Sequence, residues 1–127
     1  MIYVSCAVII DSGKVLSVQR GAGRHLAGKW EFPGGKVGDG ETPEDSVVRE
    51  VREELDLEVE VVSALAPVVH AYPDKTVRLI PFLCRVTGGT LHLHEHQACR
   101  WLAPAELSNL DWCEADGPIL EEVKKLV

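Results

Sequence analysis

Residues 35–57 read GKVGDGETPEDSVVREVREELDL, a glycine-bearing loop followed by a segment crowded with carboxylates. The spacing predicts a helix that begins after Thr42. Thr is a favoured N-cap, and Pro43 then falls at the first helical position, where its missing N–H costs nothing. Asp45 stands three residues after Thr42, near capping-box spacing, and Glu44 and Asp45 occupy the first turn, where the helix dipole favours negative charge. At about 100° per residue, Val47, Val48, Val51 and Leu55 form one apolar stripe.

Glu50, Glu53 and Glu54 are spaced i, i+3, i+4 and therefore cluster beside that stripe. Like charges so close repel one another unless a cation sits between them, and oxygen clusters with open positions suit Mg²⁺ or Mn²⁺. A solvated acidic face would explain three glutamates on an arbitrary helix. The preceding segment Glu31-Phe32-Pro33-Gly34-Gly35 argues for more, because paired glycines let backbone groups approach a metal–phosphate centre closely. Arg49 is i, i+4 from Glu53 and is placed to hold that carboxylate. Arg20 and Lys36 are candidate phosphate contacts.

Gly35, five residues, Glu41, seven residues, and then Arg49-Glu50-Val51-Arg52-Glu53-Glu54 resemble the box of the Nudix family. One position departs: Asp56 stands where the family usually has glycine, and Asp is among the few residues that tolerate a left-handed helix end. The resemblance implies an α/β fold in which a mixed β-sheet is sandwiched between α-helices. It implies hydrolysis of a nucleoside triphosphate to a monophosphate and pyrophosphate, with Mg²⁺ or Mn²⁺ held by Glu50, Glu53, Glu54 and the Gly34 carbonyl. A divalent ion of this kind neutralises phosphate charge and acidifies a water. The proton acceptor is left open between Glu50 and Glu95.

The EFPGGKV loop, Arg20 eleven residues before Glu31, and Asp116 resemble the MutT-like branch of that family. In that branch the positions matching Arg20 and His25 contact the nucleotide, and the loop of Glu31, Phe32, Pro33 and Gly34 lies against the substrate, with Phe32 at a base pocket. A glutamate matching Glu95 joins the metal site or serves as base, and an Asn or Asp matching Asp116 reads the base edge. Such resemblance implies 8-oxo-dGTP as substrate, with CTP or 5-methyl-dCTP as the alternative. Asp116 has a second reading as a plain helix N-cap. All box glutamates are present, which favours an enzyme over a catalytically silent nucleotide-binding domain.

The rest of the chain sets bounds. Its 127 residues are the size of a single domain, and 46% hydrophobic with 26% charged residues is ordinary for a globular protein. A net charge of −7 argues against nucleic-acid polymers and membrane surfaces as partners, though not against nucleotides escorted by a metal. The expected state is a cytoplasmic monomer or homodimer. Cys6, Cys84, Cys99 and Cys113 form no C-x-x-C pair and are expected as free thiols.

Strands are expected over residues 2–10, 15–20, 57–70, 77–86 and 98–102, the first two as a hairpin. Pro67 and Pro81 suggest edges or bulges. If residues 92–96 were a strand, His92, His94 and His96 would share one face; otherwise they line the mouth of the cleft. Residues 104–110 are expected as a short helix. Ile119, Leu120, Val123, Leu126 and Val127 recur at helical spacing behind Pro118.

Overall fold

The nearly continuous apolar run of β1 (Ile2–Asp11) makes it the strand that both faces of the fold share. In the computed structural model, which describes residues 1–126, Cys6 and Val8 point into one core cluster while Ala7 and Ile9 point into the other. The first cluster packs on α2 (Gly117–Lys125) through Ile119, Leu120 and Val123. The second packs on α1 (Pro43–Leu55) through Val47, Val51 and Leu55. The sheet is therefore mixed and lies between helices, as expected. Val48 is only partly buried at the border of the α1 cluster, and Leu126 is exposed. Val127 lies outside the described residues.

Hydrogen bonding joins β1 in parallel to β7 (Thr76–Gly89) over Ile2–Ile9, and in antiparallel fashion to the short β4 (Gly34–Lys36). The expected hairpin forms at Ile10↔Val15 and Asp11↔Lys14, with Ser12 and Gly13 both at positive φ as a primed turn requires. Beyond that point β2 (Lys14–Gln19) pairs with β3 (Trp30–Glu31) on one side and β8 (Ala98–Leu102) on the other.

Two expectations are corrected, at residues 57–70 and at Pro81, and two are narrowed. Residues 57–70 do not form one strand: β5 (Leu57–Ala64) ends before Pro67, and β6 (Val68–Ala71) starts a new pairing with β7. Pro81 lies in central β7, not at an edge. Its carbonyl accepts the Leu65 N–H at 3.0 Å, so its ring nitrogen faces the same side, at the junction where β6 gives way to β5 and the ladder breaks. Residues 92–96 are irregular, so the three histidines share no strand face. The short helix expected over residues 104–110 forms as a 3₁₀ helix, Pro104–Asn109.

The helix ends behave as read. Thr42 Oγ1 accepts the Asp45 N–H at 3.1 Å, and Asp56 takes the left-handed conformation with its N–H on the Arg52 carbonyl. His94 Nε2 lies 3.0 Å from the Asp56 carboxylate, so the residue that replaces the usual glycine also gains a partner. Cys6, Cys84 and Cys113 are buried free thiols and Cys99 is half-buried. No helix among the described residues is long and apolar enough to cross a membrane.

Leu55 is fully buried on α1 between the sheet and the acidic edge. Its replacement by alanine should cost about 2–5 kcal/mol, read from urea unfolding. A loss under about 1 kcal/mol would show that α1 is not anchored by this stripe.

Candidate active site

A cleft of about 420 Å³ opens where β4, α1, the loop after β2 and the 3₁₀ turn Glu114–Asp116 meet. Its floor depends on the two glycines. A β-carbon on Gly34 would collide with the Ser5 carbonyl of β1, and one on Gly35 would collide with the Glu50 carboxyl. Ser5 Oγ and Ser46 Oγ, 2.9 Å apart and buried, fasten β1 to α1 directly beneath. Strands β4 and β1 thus approach at Gly34 at a distance only glycine permits, and at Gly35 a side chain would displace the Glu50 carboxyl from its present place.

Arg49 organises the acidic edge. Its Nε and Nη2 donate to the two oxygens of Glu41 at 2.7 and 2.9 Å, and its Nη1 donates to Glu50 at 3.0 Å and to Glu53 at 3.1 Å. The guanidinium hydrogen bonds, helped by the Gly38 N–H, hold the Glu41 carboxyl down at about 2. The i, i+4 contact with Glu53 was legible in the sequence; the forked hold on Glu41 and the contact with Glu50 were not.

Glu54 is buried, and its Oε1 has no hydrogen-bond partner among the described residues. Burial first, then the charges of Glu50, Glu95 and Glu31, push its carboxyl up to about 9. Glu31 shows the opposite balance. Burial resists its ionisation, yet the hydrogen bond from His96 and the charge of Arg20 outweigh it and hold the carboxyl below its usual range. Arg20 Nη1 lies 2.7 Å from Glu31, and its Nε donates to the His25 carbonyl at 2.7 Å.

Of the residues singled out from the sequence, Arg20, His25, Glu31, Phe32, Gly34, Lys36, Glu50, Glu54, Glu95 and Asp116 line the cleft. Pro33, Arg49 and Glu53 do not: Pro33 is a core residue whose carbonyl accepts the Ala7 N–H at 2.8 Å, and Glu53 faces solvent. Glu95 is exposed on the loop before β8, 3.6 Å from Arg24. Phe32 is both core and cleft wall, backed by Trp112 with ring centres 4.8 Å apart. Asp116 occupies the N-cap position of α2, but its side chain makes no capping bond. Burial, then the charge of Glu31, push its carboxyl well above the usual range, against the pull of the Phe32 N–H and Arg20.

Sequence reasoning missed Tyr72, which lines the cleft from the β6–β7 turn and meets His25 edge-on with ring centres 6.1 Å apart. It also left His96 at the mouth, whereas its ring is wholly enclosed. Neither position carries a local pattern that marks it.

The sequence profile of the NUDIX domain matches residues 1–123. The chain belongs to this family. A CTP pyrophosphohydrolase of Escherichia coli is 40% identical to it over 121 residues, spanning 95% of this chain and 90% of the relative. An 8-oxo-dGTP diphosphatase from the same organism is 32% identical over 116 residues, 91% of this chain and 90% of the relative. The solution structure of the E. coli ORF135 protein superposes with a TM-score of 0.86 at 39% identity, covering 99% of this chain and 90% of that one.

Nudix hydrolases generally need a divalent metal. Among the described residues, no three Asp, Glu, His or Cys side chains converge tightly enough to make a ready-formed cation site. The five-donor set expected from sequence is therefore not preassembled in this Nudix domain: Glu53 points to solvent and Glu95 sits on an exposed loop. Glu50 and Glu54 with the Gly34 carbonyl nonetheless fit a hard cation. They are oxygen donors, one carries an orphaned buried oxygen, and mutual repulsion among their neighbours is what such a cation would relieve.

A pH dependence follows for the metal-free protein. Between about 4.5 and about 9, Glu54 is protonated in the fold and ionised in the unfolded chain. The unfolded state then binds fewer protons, so stability is full below that window and falls as pH rises through it. Carboxyl NMR titration should find a midpoint near 9, and saturating Mg²⁺ should flatten the loss in thermal melts. A midpoint near the ordinary glutamate value would contradict the burial argument.

Proposed function

We propose that this Nudix domain, spanning residues 1–127, is a hydrolase that cleaves a nucleoside triphosphate to the monophosphate and pyrophosphate. The observation that carries this reading is Glu54, buried beside Glu50 with an oxygen that no group among the described residues satisfies. Hydrolysis of this kind asks for little covalent chemistry; it needs an in-line water, neutralised phosphate charge and correct positioning. A divalent cation, Mg²⁺ or Mn²⁺, supplies the charge neutralisation and a more acidic water when bound by Glu50, Glu54 and the Gly34 carbonyl.

The chain's own groups do the rest. Arg49 keeps Glu50 turned toward the Gly35 backbone while engaging Glu41 and Glu53 from outside the cleft. Glu50 and Glu95 are the groups available to take a proton from the attacking water. Arg20 has its Nε and Nη1 engaged, which leaves Nη2 for a phosphate or base edge, and Lys36 stands on the same rim.

Phe32 and Asp116 form the base side. An Asp biased toward its neutral acid both donates and accepts, as an amide would. That pairing suits the N–H and carbonyl of an 8-oxoguanine, and 8-oxo-dGTP is the first substrate reading. It suits the amino group and ring nitrogen of cytosine equally. The second reading, a cytidine or 5-methylcytidine triphosphate, is favoured by the 40% identity to a CTP pyrophosphohydrolase over 121 residues. A pyrophosphate-release screen across 8-oxo-dGTP, dGTP, CTP, 5-methyl-dCTP and dATP, with and without Mg²⁺, separates the two; release that ignores metal would overturn both.

Glu50→Gln and Glu54→Gln should each lower turnover by at least about 10²-fold, a typical loss for such groups. Glu54→Gln should also fold at least as stably as the parent at pH 8 without metal, because an amide needs no proton to enter the fold, whereas Glu54 must take one up there. Asp116→Asn should keep discrimination between bases and Asp116→Ala should erode it. Equal effects of the alanine variant on every nucleotide would remove Asp116 from base reading.

A further inference from the structure

The His96 side chain is completely enclosed, yet the hydrolysis proposed above does not use it. Its Nε2 lies 2.9 Å from Glu31 Oε2, and its Nδ1 lies 3.6 Å from Glu54 Oε2 without a hydrogen-bond partner of its own. An ionised carboxylate can only accept, so Nε2 donates to Glu31. Glu31 in turn receives Arg20 through its other oxygen, at 2.7 Å. One ring thus stands between the arginine side of the cleft and the buried carboxyl of Glu54, hydrogen-bonded to the first and facing the second at 3.6 Å.

The ring cannot drift. The His92 N–H donates to the Leu55 carbonyl at 2.9 Å and the His94 N–H to the Glu54 carbonyl at 3.2 Å, so the loop that carries His96 is docked on the last turn of α1. These bonds also satisfy carbonyls that a helix end leaves open. An imidazole buried for packing alone would not present an unpaired nitrogen to a carboxylate, since unpaired buried polar atoms are costly.

We propose that His96 is a positioning residue for the hydrolysis, fixing Glu31 against Arg20 with one nitrogen and orienting Glu54 with the other. The two halves of the cleft, one meeting the nucleotide and one meeting the cation, are then held in a single register. This rests on the reading of Glu54 as a cation ligand. Groups that orient a ligating carboxylate commonly matter about 10–100-fold in metal affinity or activity.

The test compares His96→Gln, which keeps an amide toward Glu31, with His96→Leu, which removes both nitrogens. Three quantities are read: Mn²⁺ affinity without nucleotide by electron paramagnetic resonance, KM and kcat separately, and thermal melting. His96→Leu should weaken Mn²⁺ binding about 10–100-fold and raise KM at a melting temperature close to the parent's, and His96→Gln should recover most of both. Parental Mn²⁺ affinity and KM in folded His96→Leu would overturn the proposal, as would a change confined to the melting temperature. If His96→Leu does not fold, His96→Asn, whose shorter amide cannot reach both carboxylates, carries the same expectations. Glu54→Gln measured alongside separates the two layers. Unchanged Mn²⁺ binding there sinks the ligand reading and this proposal together. Lost binding there, with His96→Leu unaffected, sinks this proposal alone.

Discussion

Repulsion among buried and half-buried carboxylates is the constraint on which the cleft depends. Glu54 is pressed into the protein beside Glu50, within reach of the charges of Glu31 and Glu95. Two arginines offset part of this: Arg49 engages Glu41, Glu50 and Glu53, and Arg20 engages Glu31. Neither reaches Glu54. What remains is a carboxyl pushed toward its neutral form and an oxygen with no partner among the described residues, an arrangement that costs stability unless a cation arrives.

The fold holds that arrangement in place by close approach rather than by extra contacts. β1 lies between two helices, with alternate side chains committed to each core. Gly34 lets β4 press on β1, and Gly35 lets the same strand press on Glu50. The Ser5–Ser46 hydrogen bond then fastens β1 to α1 beneath the floor. The Gly34 contact is backbone to backbone and the serine pair is buried, so β4 and α1 are both tied to β1 beneath the acidic edge.

Local chemistry made α1 legible in the sequence. A cap at Thr42, a first-turn proline, an apolar stripe and the Arg49–Glu53 spacing are decided within a few residues of one another, and the structure keeps them all. Even the unusual Asp56 follows from a local rule about left-handed helix ends. What escaped was set by tertiary placement. Pro81 sits in a central strand because two different partners meet beside it. His96 is buried because its loop docks on the end of α1, and Tyr72 reaches the cleft from a turn far along the chain from Gly34 and Gly35. Asp116 carries an N-cap position without capping, since the cleft rather than the helix claims its carboxyl.

The most direct measurement is paramagnetic broadening of backbone amide signals by Mn²⁺ in the presence of a non-hydrolysable nucleoside triphosphate analogue. Strongest broadening at residues 34–36, around Glu50 and Glu54, and on the loop at Glu95 is expected if the acidic edge grips a cation at the glycine floor. Broadening centred on the outward Glu44 and Asp45, with the cleft untouched, would contradict it.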